Sequence, residues 1–192
     1  YSGRWKQLHY HAKRFFAPQY FVFSEHTGNL SLHLLNDAKI PVSADIQLHW
    51  VNWQGEIEKT WQIEKTVTND SNTVIWSLDE QVDLVGLGDL KSGFLYVEAQ
   101  VGDERINNTW FSTHELKTLP MVKANIEVTI EANQVTLRAN KAAFFVHLEC
   151  DTAGRFEDSS ITLLANQPVT LTFLGDDWAA MAESLRVYHL MQ

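Results

Sequence analysis

The first part of the chain carries hydrophobic residues at the spacing of an α-helix. Between Arg4 and Phe16, one side of a 3.6-residue wheel collects mainly apolar side chains: Trp5, Leu8, His9, Ala12, Phe15 and Phe16. The opposite side is mostly polar: Lys6, Gln7, Tyr10, Lys13 and Arg14. Gly3 and Pro18 flank the pattern and predict a helix between them. A stripe as apolar as Trp5, Leu8, Phe15 and Phe16 has to pack on a protein surface, in this chain or outside it.

After Pro18 hydrophobic and polar residues alternate with a period of two, which is typical of β-strands. Seven strands are predicted in the next hundred or so positions: 19–25, 30–35, 42–53, 57–67, 73–82, 94–101 and 105–112. Ile46, Leu48 and Trp50 share one face of the third strand, so we expect Trp50 in the core. Short antiparallel strands at this spacing predict an immunoglobulin-like sandwich.

A second series of strands follows a connector that contains Leu119 and Pro120. Six strands are predicted there, with a helical turn at 176–183: 126–130, 134–138, 143–150, 160–164, 168–173 and 185–190. We therefore predict a mainly β chain in three segments. These are an N-terminal helix (1–18), an immunoglobulin-like sandwich (19–115) and a smaller sandwich of the same type (116–192).

Charge and composition narrow the function. The chain has 192 residues, a formal net charge of −9 and one cysteine, Cys150. A negative balance argues against nucleic-acid and anionic-membrane partners, and no run reaches the ~18 apolar residues of a membrane span. A lone cysteine excludes an internal disulfide but does not identify the compartment. We expect a soluble protein, cytoplasmic or periplasmic if the source is bacterial.

The sequence offers no convincing catalytic, cofactor or metal site. His9 and His11 lie about 200° apart on a helix and cannot share an ion. No glycine-rich phosphate loop opens a helix, and neighbouring carboxylates such as Glu157 and Asp158 read as solvated loop residues. We therefore expect no catalytic residues, no cofactor and no metal in this chain.

Aromatic residues remain to be explained, since the chain has seven tryptophans. Trp53 lies three positions after Trp50, so the alternation places it on the outer face, beside the hairpin that Trp61 flanks on the other side. An exposed indole among polar neighbours suits stacking on a pyranose, which makes Trp53 and Trp61 candidate sugar contacts. The alternative, which we favour, is that Trp53 packs on the neighbouring domain or on a part of the protein that lies outside this chain.

The opening segment resembles one family closely. Gly3-Arg4-Trp5-Lys6, Leu8-His9-Tyr10 and Lys13-Arg14-Phe15-Phe16-Ala17-Pro18 are similar to the last helix of the catalytic barrel in the β-mannosidases of glycoside hydrolase family 2. Members of that family end in one or two immunoglobulin-like sandwiches. Gly154-Arg155-Phe156-Glu157-Asp158-Ser159 resembles a motif of the last sandwich, although the part of the motif that follows departs from the pattern.

The resemblance implies what this chain contributes. Family members release terminal β-D-mannose with retention, using two glutamates that lie upstream of the last barrel helix and hence before Tyr1. A chain that opens on Tyr1, without an initiator methionine, is expected to be a piece of a longer protein. The implied role is structural and non-catalytic: the helix docks on the catalytic barrel of the same polypeptide through Trp5, Leu8, Phe15 and Phe16. A parent acting on β-glucosaminides shares this architecture. The competing hypothesis is an independent carbohydrate-binding or adhesin-like module that binds mannose-containing oligosaccharides through Trp53 and Trp61.

Overall fold

A computed structural model describes residues 5–26, 29–78, 89–102, 104–113 and 115–191. Within these ranges the α-helices are α1 (Gln7–Phe15) and α2 (Trp178–Ser184). The strands are β1 (Gln19–His26), β2 (Asn29–Asn36), β3 (Val42–Asn52), β4 (Ile57–Val67), β5 (Ser71–Leu78), β6 (Gly93–Val101), β7 (Glu104–Trp110), β8 (Ile126–Glu131), β9 (Gln134–Ala139), β10 (Ala143–Glu149), β11 (Arg155–Phe156), β12 (Ile161–Leu163), β13 (Val169–Leu174) and β14 (Arg186–Tyr188).

The chain divides into two compact units. The first unit comprises Phe15–Asn52 and Ile57–Pro120, and the second comprises Tyr1–Arg14, Trp53–Glu56 and Met121–Gln192. Most of α1 and the turn between β3 and β4 are thus counted with the second unit. The division of the chain at residues 18 and 115 stays a prediction.

The first unit is a sandwich of two antiparallel sheets. One sheet has the order β1-β2-β5 and the other the order β4-β3-β6-β7. Inward side chains from both sheets form the core, and Trp50 lies there, only 1% exposed, as its spacing from Ile46 and Leu48 predicts. The seven predicted strands are present, with the end of the fifth falling at 79–82, outside the described residues.

The second unit has a β11-β13-β9-β8 sheet and a β12-β10-β14 sheet. Its core takes residues from both sheets and Met181 from α2, so the predicted helical turn is confirmed as a short helix. The sequence did not predict β11, which has only two residues and follows Gly154, a glycine with a φ of +137°. Together the two units confirm the mainly β fold with two immunoglobulin-like sandwiches and an N-terminal helix.

Candidate functional site

Helix α1 is attached to the second unit by its polar side. Tyr10 is 1% exposed, and its ring packs edge-on against the imidazole of His147, with the ring centroids 6.1 Å apart. The Tyr10 hydroxyl accepts a hydrogen bond from the backbone N–H of Phe156 at 3.2 Å. A residue from the first helix is therefore part of the packed interior of the second unit.

Basic residues in the last turn of α1 bind the segment before β12. The Arg14 guanidinium donates to Asp158 Oδ1 at 2.5 Å and to the carbonyl oxygens of Ser159 at 2.9 Å and Ser160 at 3.0 Å. The Lys13 ammonium donates to the carbonyl oxygen of Glu157 at 2.8 Å. Asp158 is thus a half-buried partner of Arg14, and the solvated position expected for it is wrong because the helix covers it.

His11, on the same helix, adds another contact to this attachment. Arg14 donates to His11 Nδ1 at 3.3 Å, which leaves the proton on Nε2 to be donated to Ser160 Oγ at 2.9 Å. Ser160 has a positive φ of 56°, a costly conformation for a residue other than glycine. The contacts from α1 therefore fall on a strained backbone position that they help to hold.

Ser159, His147 and Glu149 form a chain of polar contacts beneath Tyr10. His147 Nδ1 is 2.9 Å from Ser159 Oγ, and His147 Nε2 is 3.3 Å from Glu149 Oε1. Because the Glu149 carboxylate can only accept, His147 carries a proton on Nε2, and Nδ1 of the neutral ring accepts from the Ser159 hydroxyl. Ser159 Oγ also accepts a hydrogen bond from the backbone N–H of Leu148 at 3.0 Å. Each polar group of this buried set has a partner.

This arrangement resembles a hydrolytic triad only in its residue types. A serine nucleophile has to reach a substrate carbonyl, and Ser159 is 0% exposed, with its oxygen already bound by Leu148 and His147. Its chemistry is therefore structural: it fixes the surface on which Tyr10 and Arg14 pack. Sequence reasoning missed the contacts between α1 and this part of the second unit because more than a hundred residues separate them, and no local pattern joins them.

The buried histidines predict how stability depends on pH. Burial lowers the pKa of His11, His49 and His147 below the ordinary value of 6.5, and the charge of Arg14 lowers that of His11 further. As the pH falls below ~6.5 the unfolded chain takes up protons first, so the free energy of unfolding is full above that pH and declines as the pH falls through the folded-state pKa values. Urea unfolding between about pH 7.5 and 5 measures this decline. H49Q and H147Q are each expected to reduce it, and an unchanged slope in both variants contradicts the prediction.

The side of α1 that the sequence assigns to docking is open in the structure. Leu8 is 72% exposed and Phe15 is 46% exposed, and Phe16, directly after the helix, is 82% exposed. Trp5 is different: it is half-buried, with its ring 5.3 Å from that of Tyr10 and 4.9 Å from the Arg155 guanidinium. We call Leu8, Phe15 and Phe16 the apolar face of α1.

The two candidate sugar-binding tryptophans are enclosed to different degrees. Trp53 is only 6% exposed and packs edge-on against Phe144 within the second unit at 6.0 Å, so the predicted exposure is wrong. The physical reason is that β3 ends at Asn52 and Trp53 lies in the turn, where strand alternation no longer applies. Trp61 is half-buried, 5.3 Å from Trp76, with the Lys59 ammonium 4.6 Å from its ring.

Described residues line a cavity in each unit. One, of about 300 Å³, lies in the second unit between the start of α1 and strands β10 and β11. The other, of about 410 Å³, lies in the first unit beside β1 and β7. Within the described ranges no group of three or more histidine, cysteine or acidic residues is placed to hold a metal ion. In the same ranges, neither helix has the length and apolarity needed to cross a bilayer.

Comparison with known proteins identifies both sandwiches. Residues 28–117 match the model of the mannosidase Ig/CBM-like domain. Residues 119–192 match that of the Ig-fold domain of mannosidases. The strand topology and these adjoining matches define a tandem pair of non-catalytic, mannosidase-type immunoglobulin-like domains.

Relatives along nearly the whole chain agree with this class. β-Mannosidase A of Aspergillus terreus is 27% identical over 195 aligned residues, covering 91% of this chain and 21% of the relative. β-Mannosidase A of Aspergillus fumigatus is 25% identical, covering 93% of this chain and 22% of the relative. The two domain matches and these relatives together make the chain similar to the C-terminal region of the β-mannosidases of glycoside hydrolase family 2. The chain spans about a fifth of the length of these curated relatives.

Solved structures show the same fold. The β-D-mannosidase of Dictyoglomus thermophilum superposes with a TM-score of 0.80 at 16% identity, over 96% of this chain and 23% of that one. An exo-chitosanase from Amycolatopsis orientalis superposes with a TM-score of 0.65 at 14% identity, over 94% of this chain and 26% of that one. At these identities the likeness concerns the fold alone.

Proposed function

We propose that this chain is the scaffold that holds the last helix of a catalytic barrel, in a parent protein that releases terminal β-D-mannose with retention. In this proposal α1 is that helix. Its polar side is fastened to the second unit, and its apolar face docks on the rest of the barrel of the same polypeptide. The resemblance of residues 3–18 to the barrel helix of the β-mannosidases supports this assignment.

The observation that carries the proposal is that α1 binds the second unit through its polar side and leaves its apolar face exposed. An isolated helix on a sandwich would bury its apolar side, because the gain is roughly 25 cal/mol for each Å² of apolar surface removed from water. Here Tyr10, His11 and Arg14 are bound, while Leu8 and Phe16 stay exposed. Exposed apolar side chains of this size mark a surface made for another protein body. In this proposal the partner is the catalytic part of the same polypeptide, and the relatives, of which this chain spans about a fifth, support that choice.

Co-expression with the upstream part of the same gene tests the proposal. The 192-residue chain is expected to restore hydrolysis of 4-nitrophenyl β-D-mannoside by the catalytic part, and to co-purify with it. Leu8→Asp together with Phe16→Asp is expected to reduce both by at least about tenfold, because two charges would have to be desolvated at the contact. Ile40→Asp is the control, since Ile40 is a 67% exposed aliphatic residue that belongs to the first unit and not to α1.

Two results would contradict the scaffold role. One is full activity and no association when the chain is added. The other is an Ile40→Asp variant that loses as much as the Leu8/Phe16 double variant. If the catalytic part is insoluble alone, the same substitutions are made in the intact parent protein. The yield of soluble, active enzyme is then compared between the variants.

A further inference from the structure

The cavity at the start of α1 is built from side chains that suit a hydroxylated ring. Trp5 supplies aromatic surface, and the buried ring of Tyr10 packs against it with the ring centroids 5.3 Å apart. Lys6 and Arg155 bring hydrogen-bond donors to the wall, and Glu149 brings a carboxylate. The volume of about 300 Å³ falls at the small end of the range of ligand pockets, which run from roughly 300 to 1,000 Å³.

Trp5, Glu149 and Arg155 line the cavity and are each at least partly exposed. Arg155 lies over the Trp5 ring at 4.9 Å, which orients the guanidinium and its fork of donors. Glu149 Oε1 is 3.3 Å from His147 Nε2, and the glutamate side chain is still 49% exposed, so the carboxylate can accept further hydrogen bonds. Sugar hydroxyls both donate and accept, so paired donors and an acceptor beside aromatic carbon fit a neutral saccharide.

The position of the cavity relative to α1 indicates which saccharide would reach it. Trp5 and Lys6 directly precede the first helical residue, Gln7, so the cavity lies at the N-terminal end of α1. The loop that leads into a barrel helix emerges from the catalytic face of the barrel. If α1 is the last barrel helix, as proposed above, this end of the helix is on the side where substrate enters.

We propose that this cavity is a saccharide subsite for the leaving-group part of a β-linked mannoside, contacted by Trp5, Glu149 and Arg155. The inference rests on the proposed function for the identity of the sugar. The ability of the cavity to bind a saccharide is a property of the second unit, and it can be measured on this chain without the catalytic part.

Titration of the 192-residue chain with β-linked mannotriose, followed by NMR, tests the subsite. Saturable binding in the roughly millimolar range is expected, with shifts of the Trp5 indole and of the amides of β10 and β11. Arg155→Gln is expected to weaken binding by about tenfold through loss of two hydrogen bonds. Glu149→Gln is expected to weaken it by a smaller factor. Arg138→Gln is the matched charge control, since Arg138 is an exposed arginine on β9 of the same unit, outside the cavity.

Substitution of Trp5 completes the set of cavity variants. Trp5→Ala is expected to abolish saturable binding, whereas Trp178→Ala, at a 45% exposed tryptophan of α2, is expected to leave the affinity within about twofold. The dispersion of the amide spectrum reports whether each variant is folded. If Trp5→Ala is not folded, the Arg155 and Glu149 variants decide the question.

Three results would overturn the subsite. They are no saturable shifts, shifts confined to the cavity beside β1 and β7, and equal losses in the Arg138 and Arg155 variants. Association with the catalytic part is tested separately, with the Leu8 and Phe16 variants, and its outcome does not depend on any of these three results. Binding without association would therefore refute the scaffold and leave the saccharide site, and association without binding would do the reverse.

Discussion

Replacing Tyr10 with alanine is expected to lower the free energy of unfolding of the second unit by about 3–5 kcal/mol, the usual range for deleting a buried aromatic side chain. Tyr10 is 1% exposed and contacts the rings of Trp5 and His147. Its removal leaves a cavity between α1 and β10 and takes away the acceptor for the Phe156 amide. Urea unfolding followed by circular dichroism and tryptophan fluorescence measures the loss.

Two further tyrosine variants separate the contributions. Tyr10→Phe keeps the ring and removes only the hydroxyl, so it is expected to cost about 1–3 kcal/mol for the buried Phe156 N–H that is left without an acceptor. Tyr188→Ala is the matched control, because Tyr188 is a 40% exposed tyrosine on β14 of the same unit. If Tyr10→Ala destabilises the protein no more than Tyr188→Ala does, α1 is not an integral part of the second unit.

Replacing Gly55 with alanine is expected to be costly for two separate reasons. Gly55 has a φ of +86°, where a residue with a Cβ pays roughly 1–2 kcal/mol. A Cβ there would also lie 2.5 Å from the backbone nitrogen of Ala142 and 2.8 Å from that of Ala165. These nitrogens donate to the carbonyl oxygens of Gln54 and Gly55. Because backbone atoms cannot move aside cheaply, we expect a total loss of more than about 2 kcal/mol in the second unit.

Gly102 supplies the matched control for this substitution. It has a positive φ of 60°, and a Cβ added to it meets no atom within 4 Å. Gly102→Ala therefore isolates the conformational cost, expected at roughly 1 kcal/mol, from the steric cost. Hydrogen exchange of the Ala142 and Ala165 amides gives the local measurement. It should accelerate in Gly55→Ala alone, and equal effects of the two variants on stability and exchange would contradict the close approach at Gly55.

Period-two alternation was sufficient to predict the strands because most of them have one face in a core. On β2, Leu30, Leu32 and Leu34 point inward while the residues between them do not. The rule fails where a strand stops. Trp53 is one position beyond the end of β3, and there the backbone follows the turn rather than the pleat, so its outward placement was wrong.

The helix was predictable in position, but the use of its two sides was only partly so. A helical wheel separates Leu8 from Tyr10 and Arg14, yet it does not say which side is bound. The polar side is bound because Arg14, His11 and Tyr10 each find partners in residues that lie far away in sequence. Such pairings depend on the tertiary fold, and a single sequence without aligned homologues carries no signal for them.

The attachment of Tyr10 to Phe156 has a consequence for biosynthesis, since the two are separated by 146 positions. At roughly 5–20 residues per second, a ribosome needs on the order of ten seconds to travel from one to the other. During that delay the first sandwich, which lies between Tyr10 and Phe156 in the sequence, can fold before these two residues have met. The polar side of α1 waits without its final neighbours until β11 and β12 emerge, so the order of synthesis leaves Tyr10 and Arg14 without these partners until the last quarter of the 192 residues is made.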